Sequence, residues 1–126
     1  KYMENSFLAT KVSFCQQFYF IASEMDVDYE ELRELFVLDP RVNPSHTFVD
    51  RLHPYWSSHC LDKDVPAIAD AYEASLLQEV IKFNENTKKC LGIIRRAEIP
   101  EGIKNDMLMY QAGARRKEIL KDRETP

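Results

Sequence analysis

Between Tyr2 and Met25 apolar residues return every three or four positions, and they do so in two adjoining rows. Met3, Phe7, Phe14, Phe18, Ile21 and Met25 form the first row; Leu8, Val12, Cys15, Tyr19 and Ala22 form the second. A period near 3.6 residues is that of an α-helix, and strand-like alternation is almost absent from the chain. Two rows side by side predict a first helix buried on most of its circumference. With three glycines in 126 residues, the expected fold class is all-α.

Asp28-Tyr-Glu-Glu31 predicts a capping box for a second helix, with a narrower apolar stripe of Leu32, Leu35 and Phe36 that stops at Asp39-Pro40. One long irregular loop is expected at about 40–63, rich in proline, serine, histidine and aromatic residues, and such segments in compact domains are usually functional. Asp64 is expected to cap a third helix, with Pro66 in its first turn. A long helix from about Ser75 follows, its stripe made by Leu76, Val80, Phe83, Thr87, Cys90 and Ile94 and broadened by Leu77, Ile81, Leu91 and Ile93. Pro100 breaks that pattern. A last amphipathic helix over Ile103–Lys121, with Gly113 interrupting its stripe, is expected to be partly exposed or to pack on a partner.

The length suits one domain with a hydrophobic core. A net charge of −4 argues against nucleic acid, which calls for a basic face. The run Arg115-Arg116-Lys117 reads as a solvated helix face. No apolar stretch approaches the roughly 20 residues that span a bilayer, and no signal-peptide pattern opens the chain. Three widely spaced cysteines form neither a disulfide framework nor a metal cluster, so a cytoplasmic, reduced location is expected. The chain starts on Lys1 inside a predicted helix, which suggests that residues upstream have been removed or are missing.

Chemistry concentrates in two pairs, Lys1 with Asn5 and Cys60 with Asp64, each spaced by one helical turn. They supply a cation, an amide, a thiol and a carboxylate, the kit for covalent catalysis at a carbonyl carbon. Each also has a structural reading. Cys15 and Cys90 lie on apolar stripes as small buried hydrophobes would, whereas Cys60 falls in a polar loop before a helix start, where the helix N-terminus and Lys63 favour thiolate. Asp64 can serve as a cap, as a proton acceptor, or as both. Lys1 and Asn5 are either a solvent-exposed pair or donors to an oxyanion. Sequence neighbours rarely present side chains to each other, which disfavours a His59–Cys60 dyad. His46 and His53 lack acidic partners at metal-ligand intervals, so no metal site is expected. Tyr55 and Trp56 either stack on a ligand or fill the core beneath the loop.

The segment Lys1-Tyr-Met-Glu-Asn5-Ser-Phe-Leu-Ala-Thr-Lys11, the Asp39-Pro-Arg41-Val segment, Cys60-Leu-Asp-Lys63-Asp64 and the helix reaching Asn84 together resemble the UDP-glucose/GDP-mannose dehydrogenase family. The resemblance runs from Lys1 to about Asn84 and falls on the family's central helical domain, whose fold is like the C-terminal domain of 6-phosphogluconate dehydrogenase. It implies an NAD-dependent enzyme, UDP-glucose being the default substrate, that oxidises the sugar's primary alcohol to a carboxylate in two hydride transfers. By the same resemblance Cys60 is the nucleophile, through a thiohemiacetal and a thioester, with Lys1, Asn5 and Asp64 as its catalytic partners. Arg41 would bind the nucleotide of a neighbouring subunit in a homodimer, and Lys63 would lie near the cofactor.

No Gly-x-Gly-x-x-Gly fingerprint occurs, so a Rossmann domain that binds most of the NAD is expected upstream, outside this chain. The expected division is a central domain over 1–97 and a divergent helical tail over 98–126, the fragment by itself being inactive. Most family members carry a glycine-rich run directly before the cysteine, where this chain has Tyr55-Trp56-Ser57-Ser58-His59, and Asp62 stands where proline is common. Side chains in place of glycine reshape the sugar pocket or close it. The rival reading is therefore a catalytically inactive helical dimerisation module.

Overall fold

The structure, a computed structural model, describes residues 1–96. These form four helices and, among the described residues, no strand: α1 (Tyr2–Glu24), α2 (Tyr29–Phe36), α3 (His59–Ala71) and α4 (Ser75–Arg96). The all-α expectation holds. At 23 residues, α1 is about 35 Å long. It is the central element, packing against each of the other three helices, while α3 and α4 also pack on each other.

The first helix does not bury both apolar rows. Its inward face carries Ser6, Ala9, Ser13, Gln16 and Phe20, joined by Cys15 and Ala22. Most of these are small, which lets α3 and α4 approach closely, since interaxial distance follows the side chains at the contact. Ala9 meets Trp56, Val65 and Val80 in one core cluster. Phe20 meets Cys90 and Leu91 in a second, and Cys15 and Ala22 meet Tyr29 in a third. The bulky row is left outside, with Met3 88 % and Phe7 62 % exposed and Phe14, Phe18, Ile21 and Met25 also open to solvent.

Asp28 does cap α2, its carboxylate accepting from the Glu30 N–H. The face turned inward is nevertheless Tyr29 and Arg33, not the predicted leucine stripe: Leu32 is half-buried, and Leu35 and Phe36 are exposed. The reason lies in Thr47, which is fully buried. Tyr29 Oη donates to its carbonyl at 2.6 Å, and Arg33 Nη1 donates to its hydroxyl at 3.3 Å. The Arg33 guanidinium also lies 3.7 Å over the Phe48 ring. Polar anchors, rather than leucine burial, fix how α2 sits.

The third helix begins earlier than expected. Ser58 is the N-cap, its hydroxyl accepting from the Leu61 N–H at 3.2 Å, so the irregular segment closes at Ser58 rather than Lys63. Asp64 is not a cap; it sits in the middle of α3. Pro66 is likewise inside the helix, where its missing N–H leaves the Asp62 carbonyl without a helical donor. Serine and aspartate are both good caps, and the serine lies nearer the end of the aromatic run.

The fourth helix starts at Ser75 as predicted, burying Val80, Thr87, Cys90 and Leu91 but leaving Leu76 exposed. Ile93 and Ile94, the expected helix Ile103–Lys121 and the division at residue 97 lie outside the described side chains and residues. No helix among the described residues is long and apolar enough to cross a membrane.

Candidate functional site

Two helices bring three of the predicted residues together. Lys1 precedes the first turn of α1 and Asn5 lies within that turn, while α3 lies against α1 and carries Asp64 on its inner face. Asn5 Nδ2 donates to Asp64 Oδ2 at 2.8 Å. The Lys1 ammonium stands 3.7 Å from the same oxygen. Asp64 is 1 % exposed against 64 % for the Lys1 side chain, so the cation reaches in from solvent toward a buried carboxylate.

The other carboxylate oxygen, Asp64 Oδ1, is buried and has no hydrogen-bond partner among the described residues. A buried acceptor in that state is costly, and it is suited to receive a donor brought by a water or a ligand. Cys60 is exposed, one turn before Asp64 on the same helix. Side chains four apart on a helix have Cβ atoms about 5–6 Å apart. The thiol lies in the first turn of α3, where backbone N–H groups lack helical acceptors and favour negative charge. An amide and a cation therefore converge on a buried carboxylate at the α1–α3 seam, with Cys60 one turn away on α3.

The structure does not join Arg41 or Lys63 to this group by any ion pair or hydrogen bond. Arg41 is 88 % exposed and gripped by its neighbour Asp39, with Nε at 3.0 Å from Oδ1 and Nη2 at 2.7 Å from Oδ2. That fork holds the Asp39 carboxyl below the usual carboxylate range and raises the guanidinium. The backbone around it is tied to α1 by Lys11 Nζ, which donates to the Asn43 carbonyl at 2.6 Å. Lys63 is exposed, with no ion pair among the described residues.

The remaining candidates have structural roles. His53 pairs with Asp50 at 3.2 Å, and the Leu52 N–H with His53 keeps Asp50 below its ordinary range. His46 contacts the Ser45 hydroxyl. No grouping of three or more potential metal ligands occurs among the described residues. Cys15 and Cys90 are buried, and burial pushes the Cys90 thiol up. Trp56 fills the core, at 4 % exposure, and its indole N–H donates to Ser13 Oγ at 3.0 Å.

Asn84 has a structural role that the sequence reading did not identify. It is fully buried, and its carboxamide accepts from the Trp56 N–H and donates to the Trp56 carbonyl, both at 2.9 Å. Its signal was present: an asparagine one turn after Val80 interrupts an apolar helix face, and a buried amide requires partners. Ser58, the actual cap, was overlooked because Asp64 and Pro66 formed the more familiar pair.

Comparison with protein families matches residues 1–86 to the UDP-glucose/GDP-mannose dehydrogenase family, central domain. Among curated proteins, the UDP-glucose 6-dehydrogenase AglM of Haloferax volcanii is 31 % identical over 101 residues, which cover 75 % of this chain. The chain spans 23 % of that relative's length. No solved structure matches the chain significantly. The match embraces Lys1, Asn5, Cys60 and Asp64 together, and the chain belongs to the UDP-glucose/GDP-mannose dehydrogenase family, whose helical central domain it carries.

Proposed function

We propose that this chain is the catalytic-cysteine domain of an NAD-dependent nucleotide-sugar 6-dehydrogenase, with UDP-glucose as its substrate. The observation that carries the reading is the convergence of Lys1 and Asn5 on Asp64, one turn from the exposed Cys60. The substrate assignment draws on the named activity of the haloarchaeal relative.

The sugar's primary alcohol first loses a hydride and a proton to become an aldehyde. The Cys60 thiolate adds to the aldehyde carbon, forming the C–S bond of a thiohemiacetal. Loss of a second hydride and a proton gives the thioester, and water then cleaves the C–S bond to release the carboxylate and regenerate the thiol. NAD, when bound, would accept one hydride in each oxidation, so that two NAD molecules are reduced per sugar. The chain's own residues handle charge and water. The ammonium of Lys1 and the second N–H of the Asn5 amide face developing negative charge on the substrate oxygen. The vacant Oδ1 of Asp64 accepts from the attacking water and takes its proton. Lys63, exposed on the same helix and without an ion pair among the described residues, suits an anionic dinucleotide by charge and is assigned to face it. Such thiol chemistry needs a reduced cysteine, in keeping with a cytoplasmic setting.

The outward row on α1 supports a homodimer. It adjoins an apolar groove of about 150 Å³ lined by Phe14, Phe18, Tyr29, Leu32 and Phe36 among others, and apolar surface of this kind marks contact faces. Arg41, solvent-exposed on its loop, is the group assigned to a neighbouring subunit's nucleotide. A second reading, an inactive dimerisation module, is favoured by Tyr55-Trp56-Ser57-Ser58-His59 in place of the family's glycines. NADH formation by the full-length protein with a panel of UDP- and GDP-sugars decides between them. The dehydrogenase gives two NADH per sugar, abolished by Cys60→Ala; the module gives none while remaining folded and dimeric.

A further inference from the structure

We infer that Asn84 and Lys88, one turn apart on α4, are positioning residues that hold the cysteine-bearing turn over the Asp64 cluster. The inference rests on the dehydrogenase reading only for its kinetic consequence. Its structural content stands on the contacts behind that turn.

Asn84 grips the main chain of Trp56 on both polar groups, as a neighbouring strand would, through two buried 2.9 Å hydrogen bonds. The carboxamide supplies the acceptor and the donor from separate atoms, which an aspartate does not. Lys88 extends the grip on the other flank. Its ammonium lies 3.8 Å from Asp62 Oδ1 and 3.8 Å from Glu85 Oε1. It also stands 5.5 Å from the centre of the Tyr55 ring and 5.8 Å from that of Trp56. Asp62 in turn accepts from Ser57 Oγ at 3.3 Å.

Cys60 thus lies between two anchored points, Trp56 four residues before it and Asp62 two residues after, with the Ser58 cap between them. The Trp56 indole is tied to Ser13 of α1, the helix that bears Lys1 and Asn5. The segment with side chains where the family has glycines is therefore referenced to both α1 and α4. Loss of either anchor lets the first turn of α3 fray and uncouples the thiol from Asp64. Displacements of about 1 Å in reacting groups can cost about 10²-fold in rate.

The test compares Asn84→Asp, Lys88→Met and Lys88→Arg. Hydrogen exchange on the intact chain should be about tenfold faster at the Leu61 and Asp62 amides in Asn84→Asp, which loses the donor to the Trp56 carbonyl, and in Lys88→Met. Exchange in α1 and α2 stays unchanged, and Lys88→Arg restores the wild-type rates. Emission of the single tryptophan shifts to the red in the first two variants. In the full-length enzyme Lys88→Met lowers kcat at constant sugar KM, and Lys88→Arg recovers it. Unchanged exchange in folded Lys88→Met, exchange raised evenly through all helices, or a loss confined to KM would each overturn the inference. Should Asn84→Asp fail to fold, Lys88→Met carries the test. Exchange needs no turnover, so an inactive parent protein would reject the dehydrogenase reading and leave this inference to be decided by the exchange rates.

Discussion

Replacing Asn5 by alanine should cost more than any other substitution of an exposed or half-exposed residue at the seam. The change removes the 2.8 Å donor from Asp64 Oδ2. Among the described residues it leaves a carboxylate that is 1 % exposed with the Lys1 ammonium at 3.7 Å as its one partner, the second oxygen already lacking a hydrogen bond. A hydrogen bond to a charged group contributes about 1.5–3 kcal/mol, so the expected loss is about 2 kcal/mol. For a domain near 100 residues that lowers Tm by about 8–16 °C. Lys1→Met removes a long contact from a largely solvated cation and should cost under about 1 kcal/mol. Asp64→Asn keeps an acceptor for Asn5 and removes the buried charge, so stability should change by less than about 1 kcal/mol, while thioester hydrolysis stalls. Urea denaturation of the three variants, with acyl-enzyme trapping in the full-length protein, reads both effects. An Asn5→Ala loss below about 0.5 kcal/mol, or one matched by Lys1→Met, would refute the account of Asp64 as a buried carboxylate supported chiefly by the amide.

Other outcomes follow from separate features. Glu73 follows the C-cap of α3 with φ 48°, so Glu73→Gly should stabilise by about 0.5–1 kcal/mol in urea unfolding, because glycine adopts that region without strain. Burial first, and then Cys15, raise the Tyr29 phenol above its ordinary range. A group raised on folding favours the native state below its unfolded pKa of about 10, and this contribution declines as pH rises beyond it. Tyr29→Phe should flatten that alkaline loss in denaturation curves, while the lost bond to Thr47 costs about 0.5–1.5 kcal/mol at neutral pH. Phe18→Glu, on the outward row of α1, should convert a dimer at micromolar concentration into a monomer in sedimentation. A monomeric wild-type chain would refute the proposed assembly.

How much was legible depended on whether the signal was local. The periodicities of α1 and α4 survive because a 3.6-residue pattern over 20 or more residues overrides individual exceptions. Which face of α1 turns inward was not legible. Both rows are apolar, and the choice was made by Ser6, Ala9 and Ser13, whose small size matters only once α3 and α4 are in place. The start of α3 was misread because two residues that can cap compete within six positions, and only Ser58 has its hydroxyl on the Leu61 N–H. At the site, Lys1 and Asn5 span the start of α1 as their spacing suggested, whereas Cys60 and Asp64, expected in a loop and at a helix cap, both lie within α3. That Asn5 would meet Asp64, 59 residues away, followed from helix packing and from no pattern in the chain. Asn84 stood out as a polar break in the apolar face of α4, but its partner, the Trp56 main chain 28 residues away, did not.

The central helix has two unlike faces, and in the proposed homodimer this would tie assembly to chemistry. Small residues on one side set the distance to α3, while phenylalanines and methionines on the other await a surface to lie against. Lys1 and Asn5 ride on the same rigid rod as Phe14 and Phe18, so whatever restrains the far end also steadies the donors at the near end. In the proposed homodimeric dehydrogenase, protein concentration would then be a variable of catalysis. Dilution that strips the outer face of its cover should reduce turnover per molecule before it unfolds anything, through the tilt of a single helix.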